Sequence, residues 1–106
     1  MAVRARIAEL SRFVGQQVQI QGWLYNLRSS GKIHFVILRD GTGFVQAVAA
    51  LGEVDNETFE RVGGLSQESA VVLRGRVRAD SRAPGGCEVS LTSVEVLSVA
   101  HDYPIA

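Results

Sequence analysis

Apolar and polar positions alternate through residues 16–28. Val18, Ile20, Gly22 and Leu24 point one way, and Gln17, Gln19, Gln21, Trp23 and Tyr25 point the other. A period of two over such a run predicts a half-buried strand. Gly22 inside it predicts a sharp bend or bulge. Ahead of it, Ile7, Leu10, Phe13 and Val14 share one side of a helical turn that leads to Gly15. Ser29-Ser30-Gly31-Lys32 reads as a turn, and residues 33–39 as a β-branched and aromatic second strand. Asp40-Gly41-Thr42-Gly43 is the strongest hairpin signal in the chain, returning through residues 44–50 as a third strand. Residues 54–65 predict a helix, with Asp55 or Asn56 as N-cap, acids in the first turn and Gly63-Gly64 at the end. Residues 68–78 form a fourth strand, in which Val71, Leu73, Gly75 and Val77 alternate with Val72, Arg74, Arg76 and Arg78. Ala83-Pro84-Gly85-Gly86 is a loop, residues 87–99 are a fifth strand, and the tail ends in Tyr103-Pro104-Ile105.

Three antiparallel strands, a helix and two more strands make an all-β expectation. It is a five-stranded Greek-key barrel of the OB-fold type, with one helix between strands three and four and a short N-terminal helix. An SH3-like barrel would lack the inserted helix. A ferredoxin-like fold would need a helix after strand one, where this chain has a four-residue turn. With 106 residues the chain is read as a single domain spanning 1–106.

Composition narrows the function classes. At 46% hydrophobic and 21% charged the chain is an ordinary globular protein. It has no membrane-length apolar run and no signal-peptide core, and its one cysteine, Cys87, suits a reducing cytoplasm. Two histidines and one cysteine make a metal site improbable, and no cofactor is expected. Nothing supports catalysis by this chain: no phosphate-cradling loop, no paired carboxylates, no activated Cys87. Net charge is zero, which argues against a nucleic-acid partner until its distribution is read. Residues 53–68 hold five acids against Arg61. Residues 25–39 hold Arg28, Lys32 and Arg39 with no acid, and residues 74–82 hold four arginines against Asp80. A basic face can thus oppose an acidic helix.

Residues 21–49, QGWLYNLRSSGKIHFVILRDGTGFVQAVA, resemble the anticodon-binding domain of class IIb aminoacyl-tRNA synthetases. Gly22-Trp23, Arg28 with the Gly31-Lys32 turn, Phe35, Arg39-Asp40 and Gly43-Phe44-Val45-Gln46 carry the likeness. Arg82-Ala83-Pro84-Gly85-Gly86 and Tyr103-Pro104-Ile105 are closer to the asparaginyl than to the aspartyl branch. The resemblance implies a tRNA anticodon loop, of asparagine or aspartate type, as partner. It implies that Phe35 stacks on the middle anticodon uridine, Gln46 hydrogen-bonds that base or its neighbour, and Arg28 contacts the loop. The loop around Arg82 would inspect the third base. The parent would be an ATP-dependent asparagine–tRNA ligase, and any homodimer would form through its other domain. Since the chain stops after Tyr103-Pro104-Ile105, it reads as a domain cut from such an enzyme, with a free-standing relative as the alternative.

The residues themselves leave alternatives open. Strand parity leaves Phe35 between core and surface. Gln46 breaks an apolar strand and offers both donor and acceptor, which suits a base edge or a solvated position. Arg28, Lys32 and Arg39 flank a turn, as phosphate contacts or plain surface charge. Arg74, Arg76 and Arg78 form an outward stripe, as a phosphate track or for solubility. Trp23 is expected to pack against the barrel or the N-terminal helix, and His34 to lie on the surface. The Glu53, Glu57 and Glu60 face of the helix is expected to be solvated. A repurposed protein-interaction or scaffold barrel remains the alternative function. A general single-strand binder is disfavoured, because such proteins line their groove with several aromatics.

Overall fold

The first long strand decides the architecture. In the computed structural model, which describes residues 2–98, it runs over Gln17–Ser30 (β2), after a two-residue strand at Val3–Arg4 (β1). The expected strand end at Val99 and the Tyr103-Pro104-Ile105 tail lie outside the described residues. Residues 17–23 of β2 run antiparallel to β5 (Ala70–Ala79), and residues 23–30 run antiparallel to β3 (Ile33–Arg39). One strand thereby serves two walls. β4 (Phe44–Ala50) pairs back on β3, and β6 (Cys87–Ser98) lies parallel to β4 and antiparallel to β5. The ring β2–β3–β4–β6–β5 then closes through the β2–β5 pairing. This is the expected five-stranded barrel. β1 adds a sixth strand, parallel to β2, that is too short to show a period in sequence.

Closure needs tight corners. A side chain at Gly22 would collide with the Arg39 carbonyl, and one at Gly75 with that of Ser90. The predicted bend at Gly22 is such a crossing, while the bulge itself falls three residues later, at Tyr25 between Leu24 and Asn26. A second bulge sits opposite Gly75, where Thr92 is the extra residue and donates its hydroxyl to the Arg74 carbonyl at 3.1 Å. Bulges sharpen twist and turn a sheet into a barrel.

Inside, the even positions of β2 and β3 (Val18, Ile20, Leu24, Val36, Leu38) meet Val45, Ala47, Leu73, Val77, Val89 and Leu91. The N-terminal turn is a 3-10 helix, Ile7–Phe13, that buries Ile7 and Leu10. Helix α1 (Asn56–Gly63) is shorter than the predicted 54–65, because Val54 bridges to Leu51 instead. Its N-cap is Asp55, whose carboxylate accepts the Thr58 N–H at 2.6 Å and is held below the usual range by it. The helix packs on β3, β4 and β6 with Thr58 and Val62 buried. Glu53, Glu57 and Glu60 are exposed, as expected.

His34 departs from expectation. It shares the inward parity of Val36 and Leu38, and it is 8% exposed. Its ring stacks on Phe59 of α1 at 4.0 Å, and Nδ1 lies 2.6 Å from the Ser29 hydroxyl. The helix closes over it at Gly63, where a methyl group would come within 2.8 Å of Nε2. Only the long-range landing of α1 turns this position into core.

Candidate functional site

Odd positions of β3 point out of the barrel, and strand register collects the predicted residues on that outer wall. One cross-strand row runs Arg28, Phe35, Val48, Ser90, Arg76. The next runs Asn26, Ile37, Gln46, Glu88, Arg78. Phe35 is therefore an outward, half-buried residue and not part of the core, which closes the alternative that strand parity left open. The guanidinium of Arg28 lies over its ring, 4.9 Å from the centroid. Such a contact orients both groups, with the cation above an apolar floor made by Phe35, Ile37 and Val48.

Gln46 is not a loose surface amide. Its Nε2 donates to Glu88 Oε2 at 2.8 Å, and the other Glu88 oxygen accepts from Arg78. The Glu88 side chain is 12% exposed, and these two donors take up both of its oxygens. With one N–H committed, the Gln46 carbonyl and its second N–H stay available to a ligand. Glu88 and Arg78 also line a shallow pocket of about 370 Å³ together with Asp80 and Arg82. Arg82 thus sits beside this network, with its side chain 92% exposed and Asp80 at 3.7 Å. Lys32 is exposed at the tip of the β2–β3 hairpin, where its carbonyl accepts from Leu51 N–H at 2.8 Å. Nothing ties its ammonium to the other four residues.

Charge pairing sorts the cations. Arg39, Arg74, Arg78 and Arg82 each have a carboxylate within 4 Å. Arg28, Lys32 and Arg76 have none among the described residues, and Arg76 donates to the Gly15 carbonyl at 2.6 Å. The row through Phe35 therefore ends in an uncompensated arginine on either side. Sequence reading missed Glu88. Its only signal was outward parity on the last strand, and its partner lies 42 residues away.

Residues 18–97 match a family described as an OB-fold nucleic acid binding domain. The chain belongs to that family. It is 49% identical over 100 residues to an asparagine–tRNA ligase of Pelotomaculum thermopropionicum, covering 94% of this chain and 23% of that protein. Among solved structures it is similar to asparaginyl-tRNA synthetase from Pyrococcus horikoshii complexed with asparaginyl-adenylate. That likeness has 40% identity and a TM-score of 0.87, and covers all of this chain and 25% of that one. The chain thus spans about a quarter of the relatives it matches. An OBody, AM2EP06, bound to hen egg-white lysozyme is also similar, at 26% identity and a TM-score of 0.81. There the match covers 91% of this chain and 94% of that one. An OB domain of this extent therefore exists as a chain of its own.

Proposed function

We propose that this OB-fold domain binds the anticodon loop of an asparagine-type tRNA and presents it to the catalytic part of a cytoplasmic, ATP-dependent asparagine–tRNA ligase. The observation that carries the reading is the adjacency of Arg28, Phe35 and Gln46 on one outer wall, with the Gln46 amide held by Glu88. Single-stranded RNA is read by laying an unstacked base on an aromatic ring and hydrogen-bonding its edge. Uracil offers an N–H donor between two carbonyl acceptors, and the uncommitted carbonyl and N–H of Gln46 complement that edge. Phe35 supplies the floor, Arg28 and Lys32 supply phosphate contacts, and Arg82 reaches the neighbouring base. The family and the 49% identity to a ligase support an RNA partner.

A stem-loop titration at low salt tests this. The wild type is expected to prefer an asparagine anticodon loop over one with a different middle base. Phe35→Ala should weaken binding about tenfold and erase that preference, as the loss of one stacked base does. Equal binding of both loops by the wild type would sink the anticodon reading. The competing reading, a protein-binding barrel, draws on the OBody, whose chain is bound to lysozyme. It predicts affinity for a protein that does not change with salt, whereas phosphate contacts weaken as salt rises.

A further inference from the structure

A second aromatic group stands on the same outer wall. Trp23, Tyr25 and Phe44 are 42%, 46% and 48% exposed. Phe44 lies opposite Arg39, and Arg39 lies opposite Trp23. Tyr25 is the extra residue of the β2 bulge, and its ring meets Phe44 edge-on at 4.9 Å. A bulge re-aims a side chain, and here it turns an aromatic ring across β3 to Phe44 on β4. The sequence places Trp23 against the barrel or the N-terminal helix. Arg39 of the barrel covers it at 5.3 Å, and Trp23 nevertheless keeps 42% of its surface exposed.

The cluster is held in place. Arg39 donates to Glu68 Oε2 at 2.6 Å, which clamps the guanidinium against Trp23. Glu68 adopts a left-handed backbone, φ 67°, a conformation that costs a residue with a side chain about 1–2 kcal/mol. Strain of that kind persists where the surroundings over-determine it. Its result is a rigid, charge-compensated surface of rings with a groove of about 300 Å³ alongside, lined by Arg39, Gly41, Thr42, Gly43 and Phe44.

Position says what lies on it. Arg39 is four residues from Phe35 on one face of β3, about 13 Å at the usual strand rise. That distance is a few nucleotides. OB folds engage roughly 4–16 nucleotides of a single strand, more than Phe35 and Gln46 can hold. We propose that Trp23, Tyr25 and Phe44 form a second stacking station for the unpaired bases that flank those at Phe35 and Gln46. The proposal rests on the RNA-binding reading of this wall and lengthens its footprint. Rings and guanidinium planes are the surfaces on which unpaired bases stack.

Trp23 is the one tryptophan of the chain, so its emission reports this station alone. The chain is titrated with a uridine heptamer and a uridine trinucleotide. Binding is read by anisotropy of end-labelled strands, and Trp23 emission is read with unlabelled ones. The heptamer is expected to bind about tenfold tighter than the trinucleotide and to quench Trp23. Tyr25→Ala combined with Phe44→Ala should remove the heptamer's advantage and leave trinucleotide affinity unchanged, with circular dichroism confirming the fold. A heptamer that binds without moving Trp23 emission, and whose advantage survives the double variant, overturns the second station and leaves the Phe35 site standing. Failure of both strands to bind defeats the RNA reading and this proposal together. Emission that shifts with protein concentration, and not with RNA, assigns the rings to a protein contact and overturns the proposal.

Discussion

A glutamine on a β-wall normally turns freely in water, but Gln46 is fixed by Glu88. The two residues are register partners, so a carboxylate in place of the amide would face another carboxylate. For Gln46→Glu we expect a loss of about 1 kcal/mol at pH 7, the scale of like charges placed directly opposite on a sheet. The penalty is expected to be full at neutral pH and to fade in acid, where protonating one carboxyl removes the repulsion. Urea unfolding of both proteins between pH 3 and 7 reads it. A difference that is flat across that range would mean that Arg78 alone satisfies Glu88. In the sequence Gln46 stood out as a polar break in an apolar strand. Its meaning as an oriented amide depends on Glu88, a contact that local pattern cannot encode.

Barrel closure rests on a few crossings, and Gly75 is the most constrained of them. A β-carbon there would run into the Ser90 carbonyl and come within 2.6 Å of Val89 Cγ1. Backbone and a buried core residue are the obstacles, so neither can swing aside. Gly75→Ala is expected to cost about 3 kcal/mol, the upper range of core overpacking, seen as a lower urea midpoint with unchanged slope. A loss below about 1 kcal/mol would show that β5 and β6 slide apart cheaply. The sequence reading anticipated a structural role for glycine within a strand at Gly22, where a conspicuous alternation is interrupted. The alternation of residues 17–24 and the Asp55 cap with Gly63-Gly64 were equally legible, because each is a local pattern. Three features were not. β1 is two residues long, the β4–β6 pairing joins strands 36 residues apart, and His34 becomes core only when α1 lands on it. The outward placement of Phe35 needed the closed ring, since parity along one strand does not say which face is inside.

At the scale of the molecule, zero net charge conceals an arrangement. The exposed acids Glu57 and Glu60 belong to α1, whereas Arg28 and Lys32 belong to the β2–β3 hairpin. Surface ion pairs such as Arg12–Glu9 and Arg61–Glu57 add little stability, so the acid sensitivity of the fold has to come from elsewhere. Asp40 is one source. Partial burial pushes its carboxyl upward, but the Thr42 hydroxyl and the N–H groups of Ile7, Thr42 and Gly43 outweigh burial and leave it below the ordinary value of 3.8. The Ile7 N–H donates to Oδ2 at 2.8 Å, and Thr42 gives Oδ1 its N–H at 2.8 Å and its hydroxyl at 2.6 Å. One carboxylate thus ties the start of the N-terminal 3-10 helix to the β3–β4 turn, closing one side of the barrel. Because the folded value is depressed, the stabilisation is complete above about pH 4, where the unfolded carboxyl is also ionised. It is lost as pH falls through the folded value. Asp40→Asn keeps the shape and an acceptor but removes the charge, and is expected to cost about 1 kcal/mol at pH 7. Thermal unfolding from pH 7 to pH 2 should show the wild-type and variant curves converging at the acid end. Curves that stay parallel would place the clasp in hydrogen-bond geometry alone, with no share for the charge.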